Sequence, residues 1–141
     1  MTVFYSTELA NYASTPVVKV ASPAYGARLV RFRATITLAS QTTSDTIVVA
    51  VVPAGFAFAF GIHTTDTSLG SSTVAIGVSG ATGRYRAAAV FTATNTPTFF
   101  GPAAAVADTG LTADATVFIT IGAATMPASG TYVVDLFFSR Q

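Results

Sequence analysis

Apolar and polar side chains alternate in short runs along most of this chain, a pattern that predicts β-strands. Residues 30–38 place Val30, Phe32 and Ile36 on one face and arginine or threonine on the other. Turn formers such as Pro53-Ala54-Gly55 separate one run from the next. The strands predicted in this way are residues 30–38, 46–52, 56–62, 73–78, 84–92, 98–100, 115–121 and 131–138.

About eight strands at spacings of roughly ten residues, with turns between them, are typical of an antiparallel sandwich or barrel. We therefore predict an all-β fold, an antiparallel β-sandwich that is jelly-roll-like. A parallel α/β sheet is disfavoured because the only run with helix propensity, residues 103–107, is too short to stand as a helix unaided.

Two predicted strands depart from simple alternation. Residues 46–52 are apolar on both faces, which is typical of a strand that is covered on both sides. In residues 56–62, Phe56, Phe58, Phe60 and Ile62 share one face and small residues share the other. We expect the phenylalanine rings of that strand to pack in the core.

The first 29 residues lack this regularity and are predicted to form an extended N-terminal arm, followed by a β-sandwich domain over residues 30–141. Within the arm only residues 16–20, Pro-Val-Val-Lys-Val, resemble a strand. The arm is too rich in aromatic residues for a purely solvated tail. It packs either on its own sandwich or on a neighbouring subunit, and its candidate contact residues are Phe4, Tyr5, Leu9, Tyr12 and Tyr25.

Charge is scarce in this chain, and that scarcity changes how the strands are interpreted. Charged residues make up 9% of the chain and hydrophobic residues 51%, against a charged fraction of about 25% in ordinary soluble domains. Residues 46–52 and 87–90 lack charge even on faces that alternation turns toward water. Large neutral patches usually mark contacts with other subunits, so we expect these faces to be covered.

Composition also narrows the classes of partner and compartment. No apolar run approaches the roughly 18 residues of a membrane helix, and the first residues do not read as a secretory signal, so we expect synthesis in the cytoplasm and no membrane partner. The chain has no cysteine, which excludes disulfides and thiolate chemistry.

Arginines form two same-face pairs, Arg31 with Arg33 and Arg84 with Arg86, which are further candidate interaction residues. Together they would form a basic patch, but a net charge of +1 argues against a nucleic-acid partner. Solvated sheet faces or ion pairs between subunits are the preferred interpretation. Asp135, facing outward on its strand, is expected to pair with an arginine across the sheet.

The search for catalytic chemistry yields no complete set of residues. His63 is the single histidine; it could form a dyad with Asp66, but an exposed loop histidine is the simpler interpretation. Carboxylates in turn-like contexts are expected to bond nearby backbone: Asp45, Asp66, Asp108 and Asp114.

No EF-hand or phosphate-binding motif is present. We therefore predict no catalytic residue, cofactor or metal. A carbohydrate-binding module stays open, because aromatic residues on a flat sheet can stack on sugars.

Three segments resemble small virion structural proteins of tailed bacteriophages. They are residues 44–55, Ser-Asp-Thr-Ile-Val-Val-Ala-Val-Val-Pro-Ala-Gly; residues 73–77, Thr-Val-Ala-Ile-Gly, after a long Thr/Ser/Gly stretch; and residues 130–136, Gly-Thr-Tyr-Val-Val-Asp-Leu.

The resemblance implies a non-enzymatic β-sandwich subunit of the virion, of capsid decoration or cement type. Such a subunit would bind the major capsid protein or other virion proteins and would form a homo-oligomer, a trimer being favoured. A tail, neck or fibre component is the alternative within the same class.

Overall fold

The structure, a computed structural model, describes residues 28–101 and 109–140. The part of the chain that it describes contains eight strands. They are β1 (Leu29–Thr37), β2 (Thr46–Val52), β3 (Phe56–Thr65), β4 (Thr73–Val78), β5 (Ala81–Val90), β6 (Thr98–Phe100), β7 (Ala115–Gly122) and β8 (Thr131–Arg140). The predicted arm, apart from its last two residues, and the predicted helical run at 103–107 lie outside the described residues.

The strands form two four-stranded antiparallel sheets that stack face to face. The first sheet has the order β1-β8-β3-β6 and the second has the order β2-β7-β4-β5. This alternation of strands between two sheets is the arrangement of a jelly roll. The all-β sandwich predicted from the alternation is therefore confirmed.

The core lies between the two sheets and is made by the inward halves of the alternating strands. In β8, Tyr132, Val134, Leu136 and Phe138 are buried, while the residues between them are only partly covered. In β7 the inward residues are Val117, Ile119 and Ile121. Each such aliphatic or aromatic side chain contributes about 1.5–3 kcal/mol when it is fully buried, so these strands hold the sandwich together.

A bulge in β3 corrects the prediction that its four large residues share one face. The pairing with β8 shifts between Phe58 and Phe60, which leaves Ala59 as an extra residue. Phe58 packs against the core residue Phe138, with ring centroids 5.3 Å apart. Phe60 instead stacks on Phe137, which alternates with Phe138 and faces outward. One inserted residue therefore divides the aromatic face between the core and the surface.

Strand β3 is also longer than the strand predicted at residues 56–62, because it continues through His63 to Thr65. The inward face of β3 packs closely at Gly61. A side chain at this position would collide with the ring of Phe100, which fills the space. Phe100 also stacks near Phe58, with ring centroids 6.3 Å apart. A short edge strand thereby contributes its aromatic ring to the core.

The strand β5 departs furthest from regular alternation. Between the pairs Ile76–Arg86 and Val78–Ala81, β4 advances by two residues while β5 advances by five. The extra residues bend β5 and interrupt its two-residue period. Strict alternation would place Tyr85, Ala87, Ala89 and Phe91 together on the buried face. Tyr85 and Phe91 are buried, but Ala87 and Ala89 are exposed, so the alternation holds only in part.

The strand β2 has the predicted bounds, but it is not covered on both sides by the described chain. It forms an edge of the second sheet, and its inward Val52 is fully buried. Val48 and Val51 each leave 61% of their surface exposed. The outer face of this apolar strand is therefore uncovered within the described residues.

Candidate interaction surfaces

The outer face of the first sheet carries three phenylalanines, which we call the aromatic ladder: Phe137 on β8, Phe60 on β3 and Phe99 on β6. The rings of Phe137 and Phe60 stack at 4.6 Å between centroids, and the rings of Phe60 and Phe99 lie 5.8 Å apart. Phe99 is 71% exposed. The ladder is an apolar stripe across three neighbouring strands, and the sequence interpretation missed it because nothing in Phe-Ala-Phe-Ala-Phe marks the bulge at Ala59.

Next to the ladder on the same outer face, two arginines of β1 converge on Asp135 of β8. Arg33 Nη1 lies 3.3 Å from Asp135 Oδ2, and Arg31 Nε lies 3.8 Å from Asp135 Oδ1. The cross-strand pairing predicted for Asp135 is therefore confirmed. Both arginine side chains stay about half exposed, so these ion pairs contribute no more than about 1 kcal/mol.

The other arginine pair lies elsewhere, and its two members differ in environment. Strand β1 stacks near β2, whereas β5 approaches β3, so the two arginine pairs occupy opposite edges of the sandwich. Arg84 is exposed and lies over the Tyr85 ring, 5.8 Å from its centroid. Arg86 is partly buried, and its guanidinium donates hydrogen bonds to the backbone oxygens of Val74, Ala89 and Val90. The four arginines therefore do not join into one basic patch.

Two exposed segments of the second sheet carry no charge. Val48 and Val51 are exposed at its β2 edge, and Val90 is 53% exposed at its β5 edge, where Ala87, Ala88 and Ala89 are exposed as well. These are the two segments in which the sequence lacks charge on faces turned toward water. Within residues 28–101 and 109–140, no other part of the chain covers them.

The structure also corrects the prediction for His63, which is a core residue of β3 and not an exposed loop histidine. It is 1% exposed, and its Nδ1 lies 2.9 Å from the hydroxyl of Tyr132. The ring of Phe91 stacks on the imidazole at 3.8 Å between centroids. The loop after β3 begins only beyond Thr65, because β3 pairs with β8 as far as that residue.

Burial determines the protonation of this pair. Burial, with a smaller contribution from the charge of Arg86, lowers the pKa of His63 to about 4. Burial also raises the pKa of Tyr132. At neutral pH the imidazole is therefore uncharged, and the hydrogen bond joins two neutral groups. The alternative dyad does not form, since His63 Nδ1 contacts Tyr132 while the Asp66 carboxylate binds other groups.

The carboxylates that the structure describes hold loops together. Asp45 Oδ2 accepts hydrogen bonds from the backbone N–H and the hydroxyl of Thr42, and these bonds lower the pKa of Asp45. Asp66 Oδ1 accepts from the backbone N–H of Thr131 at 2.7 Å, which lowers the pKa of Asp66. Asp114 accepts from the N–H of Ala54 at 2.9 Å. The predicted bond to nearby backbone is confirmed for Asp45. Asp66 and Asp114 instead accept from backbone amides about 60 residues away along the chain, and Asp108 lies outside the described residues.

The described ranges contain no metal centre. Among residues 28–101 and 109–140, no three His, Cys, Asp or Glu side chains are placed to hold a metal ion. A pocket of about 270 Å³ lies beside the start of β7, lined by Arg84, Leu111 and Thr112 among others. Its one charged lining residue is Arg84, so the lining of this pocket holds no pair of groups for acid–base chemistry.

In the described residues, no helix has the length and apolar character needed to cross a membrane.

The five candidate contact residues of the arm lie outside the described residues: Phe4, Tyr5, Leu9, Tyr12 and Tyr25.

Chains from three solved phage capsid structures are similar to this chain in fold. A chain in the capsid asymmetric unit of cyanophage Pam1 matches with a TM-score of 0.69 at 16% identity, covering 92% of this chain and 98% of that chain. A chain in the capsid of Ralstonia phage GP4 matches with a TM-score of 0.60 at 18% identity, over 82% and 84% of the two chains. A chain in the acidic stable capsid structure of Helicobacter pylori bacteriophage KHP30 gives 0.58 at 10% identity, over 79% and 86%.

No protein-family model matches the chain, and no curated protein matches it in sequence. At identities this low, the likeness to the three capsid chains establishes the fold. The resemblance to phage virion structural proteins that the sequence carries is confirmed to that extent.

Proposed function

We propose that this chain is a non-enzymatic virion structural protein, and specifically a capsid decoration or cement subunit. The observation that carries the proposal is the exposed neutral surface on a jelly-roll domain: Val48, Val51 and residues 87–90 face solvent without a charge among them. Chains of three phage capsids share the fold. A jelly roll alone does not determine function, since capsid and lectin domains both use it.

The repetition of subunits in a capsid shell gives a physical reason for this exposed neutral surface. Burying apolar area contributes about 25 cal/mol per Å², so two exposed valines and a run of small residues give a modest gain per contact. In a symmetric assembly the same contact recurs at every subunit. A subunit that binds the assembled shell and not its free components stabilises the shell by mass action.

The partners in this proposal are the major capsid protein or another virion protein, together with sister subunits, a trimer being the favoured oligomer. The domain from residue 30 supplies a rigid block, and the arm over residues 1–29 supplies additional contact through its aromatic residues. The exposed Arg31, Arg33 and Arg84 lie at two separate edges and provide rim contacts. The protein is then located in the virion after synthesis in the host cytoplasm.

Co-sedimentation with purified capsids that lack this chain tests the proposal. The full-length protein is expected to sediment with the capsids, whereas Val51→Asp places a charge on the neutral face and is expected to weaken binding at least tenfold. Thr43→Asp, in the exposed turn before β2, is the matched control and should bind like the wild type. Failure of the full-length protein to sediment would overturn the proposal.

Two accompanying measurements test the finer parts. A chain without residues 1–25 is expected to bind capsids more weakly, and unchanged binding would exclude a contribution of the arm. Light scattering is expected to show a trimer or larger oligomer, while a monodisperse monomer would exclude obligate self-assembly.

A carbohydrate-binding module on the virion surface is a second candidate, because the exposed ring of Phe99 extends an aromatic stripe on a flat sheet. This candidate predicts a signal on a glycan array that Phe99→Ala removes. The decoration proposal predicts capsid binding and no glycan signal. A tail, neck or fibre component instead predicts binding to isolated tails and not to capsids.

A further inference from the structure

Within the described residues the sandwich has four unpaired sheet edges, and they differ in how they are protected against pairing with another strand. Proteins shield such edges with short strands, charged side chains or bulges. Strand β6 has only three residues, β1 carries Arg31 and Arg33, and β5 is strongly bulged. Strand β2 has no charge in seven residues and a single register shift at Val49. It is the least protected of the four edges.

The start of β1 lies close to the end of this unprotected edge. Residues 38–45 connect β1 to β2, and the two strands contact each other across the sandwich. They therefore run in opposite directions, one in each sheet, so that Leu29 at the start of β1 is near the Val52 end of β2. The 27 residues that precede Arg28 in the sequence connect to the domain at this point.

The chain before β1 contains one segment suited to an added strand, Pro16-Val17-Val18-Lys19-Val20. Residues 21–28 link it to β1 and reach about 26 Å when extended. Stacked sheets are about 10 Å apart, so this link is long enough to cross from the first sheet to the edge of the second.

Charge favours the β2 edge over the neighbouring β1 edge. The carboxylates that flank β2 are Asp45, which precedes it, and Asp114, which binds the backbone of Ala54 after it. The charges that flank the start of β1 are Arg28, Arg31 and Arg33, and the single carboxylate Asp135 faces the last two, so this edge stays net positive. The single charge of the segment is Lys19, which is attracted to the first group and repelled by the second.

We propose that residues 16–20 add to the edge of β2 in the same chain, as a fifth strand of the second sheet. The link is shortest when Val20 lies near the start of β1, so the added strand runs parallel to β2. The inference deepens the function proposed above and rests on it in one respect. It leaves residues 1–15, with Phe4, Tyr5, Leu9 and Tyr12, to reach a capsid or sister subunit.

Cysteine cross-linking tests the position of this strand, and the absence of natural cysteines leaves only the introduced pair. Val17→Cys and Val18→Cys are each combined with Val48→Cys or Val51→Cys in the full-length chain and oxidised mildly. At least one combination is expected to give an intramolecular disulfide, identified by peptide mass spectrometry. Val3→Cys with Val48→Cys is the control and should give none.

Three results of the cross-linking overturn the proposal. Val17→Cys and Val18→Cys are also each combined with Arg31→Cys on β1. The first contrary result is a disulfide with Arg31→Cys and none with β2, which would place the segment on the β1 edge. The second is a disulfide formed only between chains, which would place the segment on a sister subunit. The third is the absence of any disulfide between the segment and β2.

Amide hydrogen exchange on the full-length protein gives an independent measure. Val18→Pro removes a backbone donor from the added strand and is expected to speed exchange in residues 46–52 at least tenfold, with no change in β8. Ala10→Pro is the matched control and should leave β2 unchanged. Equal exchange of β2 in the Val18→Pro variant and the wild type overturns the proposal. Both tests use the isolated protein, so their failure is distinct from a failure of capsid binding.

Discussion

Strands β5 and β2 are the two edges of the same sheet, yet the chain treats them differently. At β5 the backbone is bulged, and Arg86 donates to carbonyls of both β4 and β5. Phe91 follows β5 and covers His63 in the core. At β2 the pairing with β7 is regular except at Val49, and two valines face outward with most of their surface exposed.

The difference shows which edge is complete within the described chain. The β5 edge uses charge, hydrogen bonds and ring stacking to close the gap between the sheets, so its contribution to stability depends on polar groups. The β2 edge relies on apolar side chains, and two of its six apolar residues, Val48 and Val51, are turned away from the core. We therefore expect changes at the β5 edge to alter folding and changes on the outer face of β2 to alter association.

Acid is expected to produce the largest effect, and it acts on His63 of β3, which the ring of Phe91 after β5 covers. The folded protein holds the pKa of His63 at about 4, against 6.5 for an unburied histidine. Between these values the unfolded chain binds the proton and the folded chain does not. The free energy of unfolding therefore falls as the pH falls from about 6.5 to 4, by about 3 kcal/mol at 1.36 kcal/mol per pKa unit.

Urea unfolding measured between pH 7 and pH 4 checks this expectation. His63→Asn keeps a polar side chain near Tyr132 and removes the titrating group, so its slope in this window should be close to zero. Asp45 and Asp66, whose pKa values are lowered, lose their contribution only at more acidic pH. Equal slopes in the wild type and His63→Asn would contradict a buried neutral histidine.

We expect replacement of the two arginines of β5 to change the free energy of unfolding by different amounts, although the alternation in the sequence places both on the same face. Arg86→Ala leaves the backbone oxygens of Val74, Ala89 and Val90 without their charged donor, and we expect a loss of about 2–3 kcal/mol. Arg84→Ala, two positions away on the exposed side, is expected to cost less than about 0.5 kcal/mol. Chemical denaturation of both variants measures the difference, and equal losses would refute the assignment.

Most of the fold was predictable because one face of most strands is buried. The sequence of such a strand shows this burial as an alternation of apolar and polar residues. The bounds of β2, β4 and β6 agree with prediction, and the division of β8 into buried and partly covered residues follows the sequence. The pairing of Asp135 with arginine was also predictable, since all three residues face outward on strands whose alternation is regular.

The remaining features depend on long-range pairing that local patterns do not encode. A single extra residue at Ala59 turns Phe60 and Ile62 to the surface, and no glycine or proline marks the bulge. The burial of His63 arises from the pairing of β3 with β8, more than sixty residues further along the chain. The aromatic ladder follows from the same bulge together with an edge strand of three residues.

A pair of neighbouring valines in β2 gives the last and smallest test of the comparison. Val52 is fully buried, so Val52→Ala should lower the free energy of unfolding by about 1.5–2 kcal/mol, the value of two methyl groups and a small cavity. Val51 is mostly exposed, and Val51→Ala should change it by less than about 0.5 kcal/mol. If the outer face is an interface, the order reverses in capsid binding, where Val51→Ala weakens association and Val52→Ala does not under conditions that keep it folded. Urea midpoints and co-sedimentation of the same two variants measure both orders, and a shared order would mean that β2 serves only the core.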